Sequence, residues 1–229
     1  MISKLRLHLR GNKLAAGLLL YGIFYILAFF WLENRETPVH MVYSRWDGKI
    51  PFCEYFIVPY FLWFVYIACT VVYFLFICKD VRESRYYVLS FCVGMTVFLV
   101  VSYLYPNGHN LRPQIKGESL FLEAVEWLHK VDTSTNVLPS MHVYVTVVNS
   151  IALLRQPELR KHKGFVWFVL IISVLIILST LFLKQHSVVD VMLALLLCII
   201  CYVLIYCLPE LVCTMTNNDA REDLKGKRI

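Results

Sequence analysis

Two short segments carry the residue types that could transfer a phosphoryl or acyl group: Pro139-Ser140-Met141-His142 and His186-Ser187-Val188-Val189-Asp190. Asp190 follows His186 by four residues, so on a helix its carboxylate would lie one turn along the same face. There it can hold one imidazole nitrogen protonated and leave the other as a nucleophilic lone pair. His142 is then the group that gives or takes a proton, which completes the minimum set for group transfer.

Both segments lie at the edges of apolar stretches, where an ionisable side chain costs free energy unless it has a partner. The chain of 229 residues is 59% hydrophobic with a mean hydropathy of +0.64, which is too apolar for a soluble domain. We therefore predict an all-α integral membrane protein, a bundle of six transmembrane helices. Six stretches come close to the length that crosses a hydrocarbon core of roughly 30 Å: residues 14–32, 56–78, 86–105, 138–154, 165–183 and 187–208.

The fourth of these stretches is the most polar. Ser140, His142, Thr146 and Asn149 recur in it near helical spacing, which predicts a polar stripe that lines a cavity. For Thr146 and Asn149 alone, hydrogen bonds to neighbouring helices are an equally good interpretation.

Basic residues predict the orientation. With the six stretches as spans, 15 Lys and Arg residues fall on one side of the membrane and 7 on the other. The positive-inside bias then predicts a cytoplasmic tail at 1–13, a membrane domain at 14–208 and a cytoplasmic tail at 209–229, in the plasma (cytoplasmic) membrane. His142 and His186 would share the non-cytoplasmic face. Basic loops against anionic lipid account for the net charge of +6, so we expect no nucleic-acid partner.

The loop from 106 to 137 should supply part of the site. Residues 118–130 have the apolar periodicity of a short amphipathic helix, which we expect on the membrane surface as a lid or brace. Ser140 can cap the helix that follows the loop. Free N–H groups at that helix start, together with Arg112, form a plausible phosphate cradle.

Neither a metal nor an organic cofactor is expected. The non-cytoplasmic side carries no carboxylate cluster and no His/Cys set with ligand spacing. The eight cysteines lie mostly inside the apolar stretches, so they do not indicate a disulfide framework.

Three motifs support a resemblance to a known family. Arg112-Pro113, Pro139-Ser140-Met141-His142 and His186-x-x-x-Asp190, in this order, resemble the signature motifs of the type 2 phosphatidic acid phosphatase superfamily, which includes membrane lipid phosphatases and vanadium haloperoxidases. The resemblance covers residues 90–208. It implies a six-helix core, metal-independent chemistry and a phosphohistidine intermediate at His186. It also implies that Asp190 orients this histidine and that His142 protonates the leaving oxygen.

The motifs also depart from the family pattern. A usual lysine is replaced by Tyr105, a usual glycine by Met141 and a usual arginine by Thr180. Lys184 and Lys116 are stand-ins for the missing cations, although neither lies at a matching position. A histidine pair and an aspartate without the full cation set resemble the phosphotransferase branch of inositol phosphorylceramide and sphingomyelin synthase-like proteins.

The sequence thus predicts a membrane-embedded lipid phosphate phosphatase that acts at the outer leaflet on a phosphatidic acid-like or prenyl diphosphate-like substrate. In this hypothesis Arg112, the amides near Ser140 and, more weakly, Lys184 hold the phosphate. Two alternatives stay open: a lipid head-group phosphotransferase, and a transporter whose polar residues line a permeation route. Membrane lipid is the expected partner, and the sequence leaves the oligomeric state open.

Overall fold

The computed structural model describes residues 2–211, with side chains over residues 13–211. The protein is mostly helical, with 72% helix and 3% strand, as the sequence predicts. The helices are α1 (Ile2–Glu33), α2 (Ile57–Val72), α3 (Val81–Leu104), α4 (Leu120–Val131), α5 (Met141–Arg155), α6 (Pro157–Arg160), α7 (Lys163–Phe182) and α8 (Val188–Tyr202). A 3-10 turn at Glu54–Phe56 leads into α2, and π-helical turns extend α2 (Tyr73–Ile77) and α8 (Val203–Cys207). Two short strands, β1 (His40–Met41) and β2 (Asn107–Gly108), pair in parallel.

Five helical stretches within the described residues are long and apolar enough to cross a membrane: Lys13–Glu33, Glu54–Ile77, Val81–Leu104, Lys163–Phe182 and Val188–Leu211. These correspond to five of the six predicted spans. The remaining prediction, 138–154, is a shorter apolar helix, α5, of 15 residues. Such a helix is about 22 Å long, which is less than a hydrocarbon core of roughly 30 Å, so a sixth crossing is not confirmed.

The capping residues explain why α5 is short. Ser140 has non-helical backbone and its hydroxyl accepts a hydrogen bond from the Val143 amide, so the predicted N-cap is confirmed. The helix ends at Arg155 because the next residue, Gln156, precedes Pro157. Between these ends α5 packs against α2, α3, α7 and α8 and is buried over most of its length. It is therefore the central helix of the bundle.

The polar side chains of α5 do not form the predicted cavity stripe. Thr146 donates its hydroxyl to the carbonyl of His142 at 2.5 Å, and Asn149 accepts the hydroxyl of Tyr87 from α3 at 3.0 Å. Both are fully buried, because α5 is surrounded by helices on all sides. The stripe hypothesis was wrong for Thr146 and Asn149. The alternative, hydrogen bonds to neighbouring helices, holds for Asn149, whereas Thr146 bonds to a carbonyl of its own helix.

The structure describes most of the predicted N-terminal tail but only the first residues of the predicted C-terminal tail. Helix α1 already begins at Ile2, so residues 2–13 continue it in the N-terminal direction. At the other end the helical conformation runs to Leu211. The predicted C-terminal tail at 209–229 therefore lies outside the described residues from 212 onward.

Loops and helix ends gather at one end of the bundle, which we call the site end. There β1 pairs with β2, the side chain of Arg35 donates to the carbonyls at the end of α3, and α4 packs against the start of α2. Helix α4 confirms the predicted amphipathic helix: Ser119 caps it, and Val125 and Leu128 are buried on its inner side. At the opposite end, Arg155 forms ion pairs with Glu83 (2.9 Å) and Glu210 (2.6 Å).

Candidate active site

His186 and Asp190 meet at the beginning of α8. The Nδ1 atom of His186 lies 3.3 Å from Oδ2 of Asp190, and the two residues are 8% and 0% exposed. The sequence predicts the pair and its contact, but the geometry differs from one helical turn, because His186 precedes the N-cap residue Ser187. Asp190 instead belongs to a capping box, in which its Oδ2 also accepts the Ser187 amide at 2.8 Å. The hydrogen bond from the Ser187 amide thereby holds the carboxylate in place against the imidazole.

A second carboxylate, which the sequence analysis missed, holds this same turn. Asp47, in the loop between α1 and α2, is 2% exposed and accepts the Ser187 hydroxyl at 2.7 Å and the Val188 amide at 2.8 Å. Its carboxylate therefore satisfies one N–H group that the first turn of α8 leaves open, and its negative charge suits the positive end of that helix.

Lys184 lies on the same turn and clamps the same loop. Its Nζ donates to the carbonyl oxygens of Asp47 at 2.6 Å and of Ile50 at 2.5 Å. Burial lowers the pKa of this ammonium, and the charge of Asp47 opposes that shift. Lys184 therefore holds the 44–50 loop in place. The sequence had predicted that it would bind a phosphate.

His142 lies in the first turn of α5 and faces His186. The centroids of the two imidazole rings are 5.7 Å apart. The ring of His142 lies against two aromatic side chains of α2, Tyr60 at 4.5 Å and Trp63 at 4.1 Å between centroids. Its Nε2 is buried and has no hydrogen-bond partner among residues 13–211. A backbone hydrogen bond of 3.2 Å, from the Ser140 amide to the Asp190 carbonyl, joins the starts of α5 and α8.

Arg112 is held by backbone carbonyls and by Gln185, and it does not line the cavity described below. Its guanidinium donates to the backbone carbonyls of His129 (3.0 Å), Asp132 (2.6 Å) and Thr133 (2.9 Å) and to the side-chain oxygen of Gln185 (2.6 Å). Burial lowers its pKa, opposed mainly by Asp132, yet a guanidinium remains charged throughout the physiological range. Its described partners are thus three backbone carbonyls and one glutamine.

A cavity of about 540 Å³ lies in front of the histidine pair. This volume is within the range of small-molecule sites. His142, His186, Met141 and Gln185 form its inner wall, and the remaining lining is mostly aromatic and apolar, with a polar rim from the 132–136 segment. Among residues 13–211, no Lys or Arg side chain lines the cavity, and neither does Ser140.

Two carboxylates hold the polar rim. Asp132 accepts the hydroxyl of Tyr60 at 2.6 Å. Glu33, at the end of α1, accepts the side-chain amide of Asn136 at 2.6 Å and the hydroxyls of Thr133 and Thr135. The rim segment is therefore tied to both α1 and α2.

The opening of the cavity lies between α1 and α2. Phe30 of α1 and Phe64 of α2 both line it, and they are 60% and 54% exposed. Helix α1 instead packs along α3 and against the π-helical turn that extends α2, away from the site end. The exposed side chains of Phe30 and Phe64 therefore mark a lateral opening of the cavity.

The described residues contain no group of three or more His, Cys, Asp or Glu side chains that could hold a metal ion. Metal-independent chemistry therefore stays a prediction from the sequence.

The fold and site define a class of molecule: a helical, membrane-type bundle with two histidines at one cavity wall and a buried aspartate beside one of them. Residues 112–212 match the model of the PAP2 superfamily. This segment holds Arg112, His142, His186 and Asp190, and the match confirms the resemblance that the motifs indicate. Members of the superfamily are phosphatases or related phosphotransferases. Comparisons with curated proteins and with solved structures found no significant match.

Proposed function

We propose that the protein is a membrane-embedded lipid phosphate phosphatase that works through a phosphohistidine at His186. The observation that carries this proposal is the arrangement of His186, backed by Asp190, and His142 on one wall of the cavity. Since Nδ1 of His186 faces Asp190, Nε2 is the nitrogen left to face the cavity.

In the first step, the Nε2 lone pair of His186 attacks phosphorus, and the bond from phosphorus to the lipid oxygen breaks. Protonated His142 gives its proton to the departing oxygen, so an alcohol leaves. Asp190 stabilises the positive imidazole that forms at His186. In the second step, His142 takes a proton from water, the water oxygen attacks phosphorus, and the phosphorus–nitrogen bond breaks.

The start of α5 is suited to hold the phosphate. The first amides of α8 are occupied by Asp47, Ser187 and Asp190. By contrast, the amides of Met141 and His142 have no hydrogen-bond acceptor within residues 13–211, and both residues line the cavity. Free amides at a helix start bind anions, and Arg112 adds positive charge from behind Gln185.

The lateral opening supports a lipid substrate. Phe30 and Phe64 flank it on helices that are long and apolar enough to cross a membrane. A lipid can place its phosphate at the histidines while its chain stays among apolar side chains. The distribution of Lys and Arg in the sequence favours the outer leaflet as the source of this lipid.

A second candidate function is transfer of a lipid head group. The cavity lining includes Asp132 but no Lys or Arg side chain from residues 13–211. A phosphate monoester carries close to two negative charges at neutral pH, whereas a phosphodiester carries one. The lack of lining cations therefore favours a phosphodiester lipid, with an acceptor alcohol in place of water in the second step.

The purified protein in detergent tests these functions. Wild type should release free phosphate from radiolabelled phosphatidic acid or a prenyl diphosphate, orthovanadate should inhibit, and EDTA should not. His186→Ala should lower turnover by about 10³-fold or more, whereas Asp190→Asn should retain a small residual activity. His162→Ala is the matched control, because this exposed histidine lies at the opposite end of the bundle.

Other outcomes would change the assignment. Wild-type turnover in His186→Ala would remove the enzyme hypothesis. Label that moves from a phosphodiester lipid to a diacylglycerol or ceramide, only when that acceptor is present, would establish the transferase. No chemistry on either substrate, with lipid flux in proteoliposomes, would leave a transporter.

A further inference from the structure

Gln185, next to His186 in the chain, is held rigidly at the inner wall of the cavity. It is 2% exposed and lines the cavity. Its amide donates to the Thr180 carbonyl at 2.9 Å, and its carbonyl lies 2.7 Å from Nε2 of His109. Hydrogen bonds at both the amide and the carbonyl thus fix the backbone of Gln185, and with it the position of its Cα and Cβ atoms.

Arg112 fixes the orientation of the Gln185 side chain. Its Nη2 lies 2.6 Å from Oε1 of Gln185. A guanidinium has only donors, so the atom that faces it must be the amide oxygen and the NH₂ group must lie on the other side. Arg112 cannot rotate freely, because backbone carbonyls of His129, Asp132 and Thr133 accept its other hydrogen bonds.

The NH₂ group of Gln185 has no acceptor. Its Nε2 is buried and without a hydrogen-bond partner among residues 13–211. A buried donor without an acceptor is unfavourable, so a residue that is held this firmly indicates a missing partner. The wall that Gln185 shares with His142 and His186 is where the proposed function places a phosphate.

We propose that the side-chain amide of Gln185 binds a nonbridging oxygen of the substrate phosphate, and that Arg112 is the positioning residue that orients this amide. The inference rests on the proposed function, because it takes the phosphate to lie beside His186. Gln185 then provides a neutral donor at a wall where no Lys or Arg from residues 13–211 reaches the cavity. Arg112 contributes through Gln185 rather than by direct contact with phosphate.

Two substitutions of Gln185 test the phosphate contact. Gln185→Glu keeps the shape and the contact with Arg112 but replaces the donor by a negatively charged acceptor, and Gln185→Met removes the donor without adding charge. Both should raise the KM for phosphatidic acid and the inhibition constant of orthovanadate by about 10-fold or more. Gln156→Glu is the matched control, since Gln156 is also a buried glutamine with an unpartnered Nε2, at the opposite end of the bundle.

Binding of orthovanadate, measured as an increase in melting temperature, gives a readout that needs no turnover. Wild type and Gln156→Glu should be stabilised, whereas the Gln185 variants should require about 10-fold more vanadate. Vanadate affinity and KM equal to wild type in either folded Gln185 variant would overturn the inference. If activity still depends on His186 in that case, the proposed function stands; activity retained in His186→Ala overturns that function instead.

A double-mutant cycle tests the positioning role of Arg112. Arg112→Lys should weaken vanadate binding when Gln185 is present and have little further effect in the Gln185→Met background, because its target is then absent. An equal effect in both backgrounds would show that Arg112 acts independently of Gln185 and would overturn this part of the inference.

Discussion

Individual polar side chains at the site end mainly hold loops in place. Arg112 binds three backbone carbonyls, and Lys184 binds two. His109, a neutral group, also binds backbone atoms. Its Nδ1 accepts the amide of Leu111 at 3.3 Å, so Nε2 carries the proton and donates to the Gln185 carbonyl at 2.7 Å. These residues keep Gln185, the neighbour of His186, fixed.

The neutral state of His109 predicts a loss of stability in acid. Burial, aided by the charges of His186 and Arg112, lowers its pKa from the ordinary value of 6.5, while the Gln185 carbonyl and Asp190 oppose the shift. The unfolded chain therefore binds more protons below pH 6.5 than the folded protein does. The contribution of His109 to the free energy of unfolding is fully present above that pH. It should be lost as the pH drops, by up to about 1.4 kcal/mol per pH unit for one proton.

Melting temperatures in detergent between about pH 7.5 and 5.5 measure this effect. His129, whose pKa is also lowered by burial, adds to the slope in wild type. His109→Gln should show a shallower slope, because one titrating group is gone, and the exposed His162→Gln should match wild type. A His109→Gln slope as steep as that of wild type would contradict the assignment.

The starts of two helices hold the residues of the candidate site. His142 is the second residue of α5, and α8 begins two residues after His186, with Asp190 in its first turn. The hydrogen bond from the Ser140 amide to the Asp190 carbonyl links these starts. Loss of either start should therefore affect the site before it affects the rest of the bundle.

Asp47 is the residue whose removal should loosen α8 at the site. Asp47→Ala leaves the Val188 amide and the Ser187 hydroxyl without their acceptor, which should destabilise the protein by about 1–3 kcal/mol. Because His186 lies in the same turn, kcat should fall together with the melting temperature.

Asp80→Ala is the control for Asp47. Asp80 caps α3 at the opposite end and accepts the amides of Arg82 and Glu83 at 2.9 and 3.2 Å. It should lower the melting temperature similarly while kcat stays near that of wild type. Equal loss of kcat in both variants would mean that Asp47 contributes only general stability.

The crossing of α3 and α5 depends on Gly94. A Cβ atom there would lie 1.8 Å from Cε1 of Tyr144, whose hydroxyl donates to the Ser90 carbonyl at 2.7 Å. Gly94→Val should therefore force the two helices apart and destabilise the protein by about 1–3 kcal/mol or more. Gly164→Ala, with open space at its Cβ, should melt like wild type. Equal melting of the two variants in detergent would show that the crossing adapts.

Sequence and structure agree best where contacts are local. His186 and Asp190 are four residues apart, and the long apolar helices follow from hydropathy, so both could be predicted. Asp47 meets Ser187 over a separation of 140 residues, and Arg112 meets Gln185 over 73. No motif or periodicity encodes such contacts. The predicted stretch 138–154 begins three residues before α5, because apolar composition alone does not mark a helix start, whereas the predicted cap Ser140 does.

The whole molecule has two chemically different ends, which predict its orientation. Asn110, near β2, and Lys161, between α6 and α7, are exposed at the two ends. In a cysteine-free background, Asn110→Cys should react with a membrane-impermeant maleimide in intact cells, and Lys161→Cys should react only after permeabilisation. The reverse pattern would put the site on the cytoplasmic side.

The opening between α1 and α2 also determines how substrate concentration should be expressed. A molecule that enters from the side arrives by two-dimensional diffusion within one leaflet, so the rate should follow the mole fraction of substrate in that leaflet. Dilution of the substrate with inert lipid slows such an enzyme even when the bulk amount is unchanged. Addition of more vesicles of the same composition, by contrast, leaves each embedded molecule working at its former rate.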